Sequence, residues 1–407
     1  MSDLIAVVLI GHADQDAADH LRIAAYEGSK WADSFSVRVF DDDREIAAEL
    51  ADSPAHVIFT FGDSASFPVL NAAPLDIRRR WSHFDDRSMD LGEVAVLALG
   101  GFVDVATNDR FPNEPLVSVF TPTYRTGERI MRPYQSLVDQ TYGNWEWVLY
   151  DDSPDDDRET VGILSDLRAS DPRLRLFLSD MPSGRIGEVK RRLCGLARGS
   201  ILVELDHDDE LTSNCLADIV EAFRVFPEAG FAYTDCAEVL ESGANATYGD
   251  SYAFGFGSYR SEMYRGRDYM VSNYPSINAK TVRHIVGMPN HARAWRTSAY
   301  FAAGGHNPEI HVADDYELCI RTFLTTPMIH IQRFGYIQYL GDGGENTQRT
   351  RNKEIQRLVA AFADRYNEQI HQRFEELGVS DFLYTDKGLD WSLDPPEDGY
   401  IANLVYR

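Results

Sequence analysis

The chain has 407 residues, with 39 Lys and Arg against 65 Asp and Glu, which sets a formal net charge of −26. This excess argues against a protein that coats DNA or an anionic membrane, because attraction to phosphate polymers needs a positive field. A composition of 44% hydrophobic and 26% charged residues is typical of a folded globular protein. Apolar runs stay well short of the roughly 18 residues of a membrane span.

The N-terminal quarter predicts a small α/β domain over residues 1–110. Short apolar runs alternate there with helical stretches at 13–25 and 43–51. The runs expected to form strands are Leu4–Ile10, Phe35–Phe40, His56–Phe61 and Val94–Leu99. The first run lacks a preceding positive charge and a cleavage site, so we expect a buried strand and not a signal peptide. The polar segment 106–114 indicates a linker.

A second α/β series begins after this linker and defines the predicted domain 115–345. Its expected strands are Leu116–Thr121, Trp145–Tyr150, Leu174–Phe177 and Ile201–Leu205, and its expected helices are 127–140, 157–169 and 187–198. Strands and helices alternating at this spacing predict a parallel sheet, with the chemistry in loops at the carboxyl ends of its strands.

The remaining chain predicts less regular structure. Residues 245–290 are rich in Gly, Tyr, Phe and Arg, which favours an elaborated loop region. Apolar residues recur at helical spacing over 352–377 and predict one long amphipathic helix. With the irregular tail that contains Asp394–Asp398, this helix forms the predicted segment 350–407. The four cysteines have neither metal nor disulfide spacing, which favours reduced thiols and a cytoplasmic location.

Carboxylates follow two of the predicted strands. Asp151 and Asp152 come after Trp145–Tyr150, where they can accept hydrogen bonds from a nucleobase or a ribose, or form an ordinary solvated turn. Asp206, Asp208 and Asp209 follow Ile201–Leu205, and their repulsion favours a bound hard cation such as Mg²⁺ or Mn²⁺. A helix N-terminus is the alternative, but it explains Asp209 without Asp206 and Asp208.

A third pair, Asp314 and Asp315, follows Gly304 and Gly305 at the expected start of a helix. A carboxylate at this place can act as a general base toward a hydroxyl. The alternative is a pair of acids that the helix dipole favours.

Taken together and in this order, the clusters over residues 116–325 resemble an inverting glycosyltransferase of family two with the GT-A fold. The segment Val117–Tyr124 is similar to the family's opening strand and nucleotide-contacting turn, and Gln135–Tyr142 to the end of its first helix. Asp206-His-Asp208 resembles the D-x-D motif, and Asp314-Asp315 the Glu-Asp pair that follows Gly-Gly.

The resemblance implies a role for each of these positions. It implies a metal-dependent transfer of a sugar from a nucleotide-diphosphate donor, most often a UDP-sugar, to an acceptor hydroxyl, with Asp315 as the catalytic base and Asp208 as the main ligand of Mn²⁺ or Mg²⁺. The implied donor-binding residues are Thr121, Pro122, Tyr124, Asp151, Asp152, Lys190, Arg191 and Asp206. The implied acceptor residues are Trp295, Arg296 and Asp314.

The chain departs from the family in two places. Val189-Lys190-Arg191 stands where the family carries Ala-Arg-Asn, which keeps a positive charge near the diphosphate. Asp342 lies where a histidine often completes the metal site, so either Asp342 or a water would complete it here. The membrane helices and the Gln-x-x-Arg-Trp motif of processive synthases are absent from the sequence.

Two other functions fit parts of the sequence. A non-catalytic carbohydrate-binding or scaffolding protein could use the same fold, although carboxylates at all three clusters argue against it. A nucleotidyltransferase also pairs carboxylates on Mg²⁺, but no Gly-rich phosphate loop followed by Lys is found. The acceptor class stays open among glycan, protein and small molecule, and the net charge argues against nucleic acid.

Overall fold

The computed structural model describes residues 6–11, 35–40, 44–45, 57–61, 67–72, 81–84, 115–154, 156–179, 182–249, 252–284, 289–341, 350–385, 388–389 and 404–406. The N-terminal strands are β1 (Ala6–Gly11), β2 (Phe35–Phe40), β3 (Val57–Phe61) and β4 (Trp81–Phe84), with helix α1 (Pro68–Ala72) between β3 and β4. They form a parallel sheet in the order β2-β1-β3-β4. Three of these strands lie where the sequence predicts them, and β4 was not expected. The predicted strand Val94–Leu99 and helical stretch 13–25 lie outside the described residues, as does 43–51 except for residues 44 and 45.

A second, mixed sheet carries the rest of the fold. Its strands are β5 (Val117–Thr123), β6 (Trp145–Asp151), β7 (Leu174–Leu178), β8 (Ile201–Glu204), β9 (Glu210–Leu211), β10 (Phe231–Leu240), β11 (Asn245–Tyr248), β12 (Ser258–Tyr264), β13 (Arg267–Asn273), β14 (Arg293–Arg296), β15 (Met328–Leu340) and β18 (Leu404–Tyr406). The main path runs β12-β13-β10-β14-β8-β5-β6-β7. Strands β8, β5, β6 and β7 are parallel to their neighbours in that order, as the alternating pattern predicts.

Helices connect and cover these strands. They are α2 (Met131–Val138), preceded by a 3₁₀ turn at Gly127–Ile130, then α3 (Arg158–Ser170), α4 (Ile186–Leu196), α5 (Cys215–Val225), α6 (Thr281–His284), α7 (Thr297–Ala302) and α8 (Asp314–Thr325). Helix α4 packs against β5 and β6, α3 against β7, and α5 against β10 and β15. Every residue of β5 and β6 is buried, and the polar residues among them are hydrogen-bonded, as Ser118 is to Glu146.

The C-terminal helical region differs from the prediction. The expected single helix over 352–377 is two helices, α9 (Asn352–Arg365) and α10 (Asn367–Glu376), which meet at Tyr366. The apolar face continues through the break because both helices contribute to a second core with α8. The tail is not wholly irregular, since β18 pairs antiparallel with β11 and β16 (Tyr384–Thr385) pairs with β17 (Gly388–Leu389). Asp394–Asp398 lie outside the described residues.

The prediction of an elaborated loop over 245–290 is wrong for much of that segment. Strands β12 and β13 form a regular antiparallel hairpin in which Ser258 pairs with Asn273 and Tyr264 with Arg267. In β13 the buried Tyr269 and Val271 alternate with the more exposed Asp268 and Met270, because successive side chains of a strand point to opposite faces. The predicted domain boundaries near residues 110 and 345 lie outside the described part of the chain and stay predictions. Within the described residues, no helix is both long enough and apolar enough to cross a membrane.

Candidate active site

The candidate site lies at the carboxyl edge of the parallel strands β5, β6 and β8. Strand β14 runs antiparallel to β8, with Ala294 beside Val203, so its first residue, Arg293, lies at this same edge. Helix α8 begins with Asp314 and brings two more carboxylates to α4 and the edge of the sheet. The topology therefore brings together acidic residues that are up to 164 positions apart, from Asp151 to Asp315.

Asp151 and Asp152 are both buried at the end of β6. Asp151 accepts hydrogen bonds from the hydroxyls of Thr123 (2.8 Å) and Ser153 (2.9 Å). Asp152 accepts from the backbone N–H of Ser183 at 2.9 Å and from its hydroxyl at 3.0 Å. Burial raises the pKa of Asp151. These contacts explain the pair as an anchored end of the strand, not as a solvated turn.

The predicted donor-binding segment of β5 contains side chains of two kinds. The Thr121 hydroxyl is buried, donates to the Leu205 carbonyl at 2.7 Å and accepts from Trp147 Nε1 at 2.8 Å. Pro122 is buried beside it, whereas Tyr124 is 51% exposed just beyond the strand. Of the three, Tyr124 alone has an exposed side chain.

The turn after β8 contains three carboxylates in two environments: Asp209 is buried, whereas Asp206 and Asp208 are partly exposed. Asp209 is buried and accepts from the Tyr336 hydroxyl at 2.9 Å and the Tyr339 N–H at 2.7 Å. Burial, together with Asp208 and Asp206, raises the pKa of Asp209 well above its usual range. The helix N-terminus considered for Asp209 is wrong, because β9 follows it and α5 begins only at Cys215.

Asp206 and Asp208 keep part of their side chains exposed at the edge. Asp206 Oδ2 lies 3.6 Å from His291 Nε2, and Asp208 Oδ2 lies 3.8 Å from Arg129 Nη1. The Asp208 carbonyl accepts from Arg132, which ties the turn to α2. The turn is thus fixed through its backbone while two carboxylates face outward.

Oxygen donors at this turn fit a hard divalent cation, which prefers carboxylate ligands and keeps positions for phosphate oxygens. Asp208 could hold such a cation, since its carboxylate is partly exposed and Arg129 Nη1 is 3.8 Å away. Among the described residues, no three Asp, Glu, His or Cys side chains converge as a preformed metal cluster. Asp342, the other predicted ligand, lies outside the described residues.

Asp314 and Asp315 occupy the first turn of α8 but point into different surroundings. Ala313 precedes them in the left-handed conformation, with φ 59°. Asp314 is buried, with Oδ2 3.6 Å from Lys190 Nζ and 3.7 Å from His306 Nε2. Asp315 keeps 24% of its side chain exposed, and its Oδ2 accepts from Arg293 Nη2 at 2.8 Å. A favourable interaction with the helix dipole would not by itself require Lys190 beside Asp314 or Arg293 beside Asp315.

The two carboxylates differ in acidity because of their surroundings. Burial raises the pKa of Asp314 to about 6, against an attraction to Lys190. Burial also acts on Asp315, but Arg293 and Lys190 outweigh it and lower the pKa of that carboxyl. Asp315 is therefore ionised at neutral pH, with part of its side chain exposed.

A buried ion-pair network lies beneath these carboxylates. Lys190 Nζ lies 2.6 Å from Glu204 Oε1, and Arg293 Nη1 lies 3.0 Å from Glu204 Oε2. Arg191 donates to the carbonyls of Gly304 (2.8 Å) and His306 (3.3 Å). These contacts place Lys190 and Arg191 in the network, and their binding to a diphosphate stays a prediction.

The turn Gly304–His306 packs tightly beneath α8. Tyr300 Oη accepts from the His306 N–H at 3.0 Å and lies 2.8 Å from His306 Nδ1. Burial and the nearby Lys190 lower the pKa of His306 to about 3, so this imidazole is neutral. Gly305 has φ 64°, and a Cβ there would lie 2.9 Å from Tyr300. Gly-Gly is needed here for backbone conformation and close approach.

The structure corrects the predicted acceptor residues. Trp295 has no exposed surface, donates from Nε1 to Thr322 at 3.1 Å and packs against Phe231 in the core. Arg296 pairs with Ile201 at the opposite end of β8, and its guanidinium donates to the carbonyls of Ala229 and Phe223. Neither side chain reaches the carboxyl edge. Asp314 is buried as well, and its contact with an acceptor stays a prediction.

Two members of the network were missed from the sequence. Glu204 gives a signal, since it is a charged residue inside the apolar run Ile201–Leu205. Arg293 gives none that distinguishes it from the other arginines of 260–296, because its position depends on how β14 pairs with β8.

The fold and the acidic edge define the GT-A class of α/β proteins. Residues 118–264 match the family model described as glycosyl transferase family 2. The matched segment contains Asp151, Asp206 and Asp208 and ends with β12, so Asp315 lies beyond it.

The chain is also similar to proteins with known names. The chain is 25% identical over 271 residues to chondroitin synthase of Escherichia coli, covering 67% of this chain and 34% of that protein. It is 33% identical over 102 residues to the UDP-Glc:alpha-D-GlcNAc-diphosphoundecaprenol beta-1,3-glucosyltransferase WfgD of Escherichia coli, covering 25% and 38%. The chain thus spans about a third of the length of each. Among solved structures, S. aureus TarS 1–349 with UDP aligns at TM-score 0.44 and 17% identity, covering 64% of this chain and 72% of that one.

Proposed function

We propose that the chain transfers a sugar from a UDP-sugar to an acceptor hydroxyl, with inversion at the anomeric carbon. The observation that carries this proposal is the pairing of outward carboxylates at one sheet edge: Asp206 and Asp208 on one side, and ionised Asp315 on the other. One group can hold an anionic donor through a cation, and the other can take a proton. The family of residues 118–264 supports glycosyl transfer over other uses of such an edge.

Donor binding would use residues from three strand ends. Asp151 and Asp152 would accept hydrogen bonds from the base and ribose, and Asp206 would lie beside the ribose or diphosphate. Tyr124, exposed at the end of β5, would pack on the base. The name of the WfgD relative specifies UDP-Glc, which favours a uridine nucleotide here as well.

Asp208 would hold the divalent cation, with Asp342 as a second oxygen ligand. A bound Mn²⁺ or Mg²⁺ supplies charge stabilisation for a departing diphosphate. Arg129, 3.8 Å from Asp208, would add a positive charge beside the same group.

Asp315 would act as the catalytic base. Its carboxylate would accept the acceptor hydroxyl proton while the acceptor oxygen forms a bond to the anomeric carbon from the face opposite the diphosphate. The bond from the anomeric carbon to the diphosphate oxygen breaks, and UDP leaves with both electrons. Attack from the opposite face inverts the anomeric centre.

The acceptor is a hydroxyl compound such as a glycan, a protein or a small molecule, and the charge of −26 argues against nucleic acid. All four cysteines are free and buried, which fits the proposed cytoplasmic location.

The test separates donor binding from transfer. We expect Asp315→Asn to bind UDP in Mn²⁺ as tightly as the wild type while losing transfer by about 10²- to 10⁴-fold, because a base is lost. Asp208→Asn should weaken UDP binding in Mn²⁺ and leave binding in EDTA unchanged. Asp166→Asn, on an exposed face of α3, is the matched control. Near-normal transfer by Asp315→Asn would contradict the assignment of the base, and UDP binding without any transfer by the wild type would favour a non-catalytic protein.

A further inference from the structure

Glu204 is a carboxylate with no exposed surface at the last position of β8. Its two oxygens have different cationic partners: Lys190 Nζ lies 2.6 Å from Oε1, and Arg293 Nη1 lies 3.0 Å from Oε2. A buried charge is tolerated only when it is paired, so Glu204 and these two cations form one unit.

The same cations hold the two carboxylates above. The other terminal nitrogen of Arg293, Nη2, lies 2.8 Å from Asp315 Oδ2, and Lys190 Nζ lies 3.6 Å from Asp314 Oδ2. One planar guanidinium therefore bridges Glu204 below and Asp315 at the site. Glu204 holds Nη1 and the Pro289 carbonyl accepts from Nε at 3.0 Å, so the planar guanidinium holds Nη2 in place beside Asp315.

We propose that Glu204 is a positioning residue for Asp315: by sharing Arg293 and engaging Lys190, it sets both the place of the Asp315 carboxylate and its strength as a base. This inference rests on the proposed function for the identity of the base, but not for its geometry. Without the negative charge of Glu204, the positive charges of Arg293 and Lys190 would be paired only with Asp315 and Asp314.

The other groups around the network do not change the sign of the effect of Glu204, whose negative charge raises the pKa of Asp315. Lys190 comes from α4, Arg293 from β14, and Asp314 from α8. Asp206 follows β8, with His291 beside it, and His306 lies in the turn before α8. Burial lowers the pKa of both His306 and His291, so both are neutral near pH 7. Burial raises the pKa of the Cys319 thiol, so it stays protonated.

The chain offers a matched control in Glu146, on β6. Glu146 is also buried between two cations, with Oε2 3.2 Å from Arg175 Nη1 and 2.7 Å from Arg198 Nε. It lies next to the first residue of its strand, whereas Glu204 is the last residue of β8. A neutral substitution there removes an equivalent buried charge at the edge away from Asp315.

The experiment measures the titration of Asp315 directly. Carboxyl carbons of aspartate are labelled with ¹³C, the Asp315 signal is assigned by its loss in Asp315→Asn, and its pKa is compared in wild type, Glu204→Gln and Glu146→Gln. We expect Glu204→Gln to lower the pKa of Asp315 by about one pH unit, because a neighbouring negative charge is removed. Glu146→Gln should leave it unchanged.

Transfer kinetics supply a second readout. In Glu204→Gln the acid limb of the kcat profile should move to lower pH with the Asp315 titration, and the plateau should fall by about threefold because the base is weaker. Glu204→Asp keeps the charge, so it should shift the titration in the same direction by less than half as much. It also tests the idea if Glu204→Gln does not fold.

An Asp315 titration that is equal in Glu204→Gln and Glu146→Gln would overturn the inference, as would a Glu204→Asp variant that shifts it upward. These results do not depend on transfer. A wild type without transfer activity would instead contradict the proposed function while the titration still decides the role of Glu204.

Discussion

Asp314 carries the pH dependence that the structure predicts most directly. Burial raises the pKa of its carboxyl from 3.8 to about 6 in the folded protein. The folded state therefore binds a proton more tightly than the unfolded state. Stability from this group is present at low pH and is lost as pH rises through the range from about 4 to 6.

The magnitude follows from the same values. At about 1.4 kcal/mol for each pH unit, raising the pKa from 3.8 to about 6 corresponds to about 3 kcal/mol. Asp314→Asn removes the titrating group without changing its size. The free energy of unfolding of the variant, relative to wild type, should rise by about 2.4 kcal/mol of this between pH 4 and pH 7.

Denaturant unfolding at a series of pH values measures this difference, with fluorescence of the buried Trp147 and Trp295 as the signal. Asp315→Asn is the matched control, since Arg293 lowers the pKa of Asp315 and the sign reverses. The free energy of unfolding of the wild type, relative to Asp315→Asn, should increase as pH rises toward 3.8, the ordinary pKa of an aspartate. A difference between wild type and Asp314→Asn that stays constant from pH 4 to pH 7 would refute the reasoning.

Two further predictions concern arginines away from the carboxyl edge of the sheet. Arg283 pairs at 2.8 Å with Asp381, and both side chains are buried, so Arg283→Met should lower the free energy of unfolding by about 3–5 kcal/mol. Arg185→Met, at the exposed pair with Glu309, should change it by less than about 1 kcal/mol. Equal losses in the two variants would contradict the prediction. Arg296→Ala should leave the KM for the acceptor unchanged in initial-rate assays, since the Arg296 guanidinium lies at the opposite edge of the sheet. A severalfold rise in that KM would support Arg296 as an acceptor-binding residue.

The parallel strands could be predicted because they are local patterns. Strands β5, β6, β7 and β8 lie within a few residues of the apolar runs that predict them, and each run is followed by polar residues. Period and composition decide such elements before any tertiary contact forms. The hairpin β12–β13 was missed because its aromatic and arginine content resembles a loop, although its alternation fits a strand.

The site was predictable where adjacent residues share one role, and not where partners are distant in sequence. Asp206 and Asp208 face outward together, as their spacing suggests. Trp295 and Arg296 were misplaced because a strand's burial depends on which neighbours it pairs with, and β14 lies between β8 and β10. The role of Lys190 depends in the same way on Glu204 and Asp314, which are separated from it by 14 and 124 positions.

The stereochemistry of the product tests the central claim most directly. The protein is incubated in Mn²⁺ with α-linked UDP-sugars and hydroxyl acceptors, and the anomeric proton of each product is recorded by NMR. The account predicts UDP release and a β-linked product. An α-linked product, or no product from any UDP-sugar despite intact UDP binding, would contradict it.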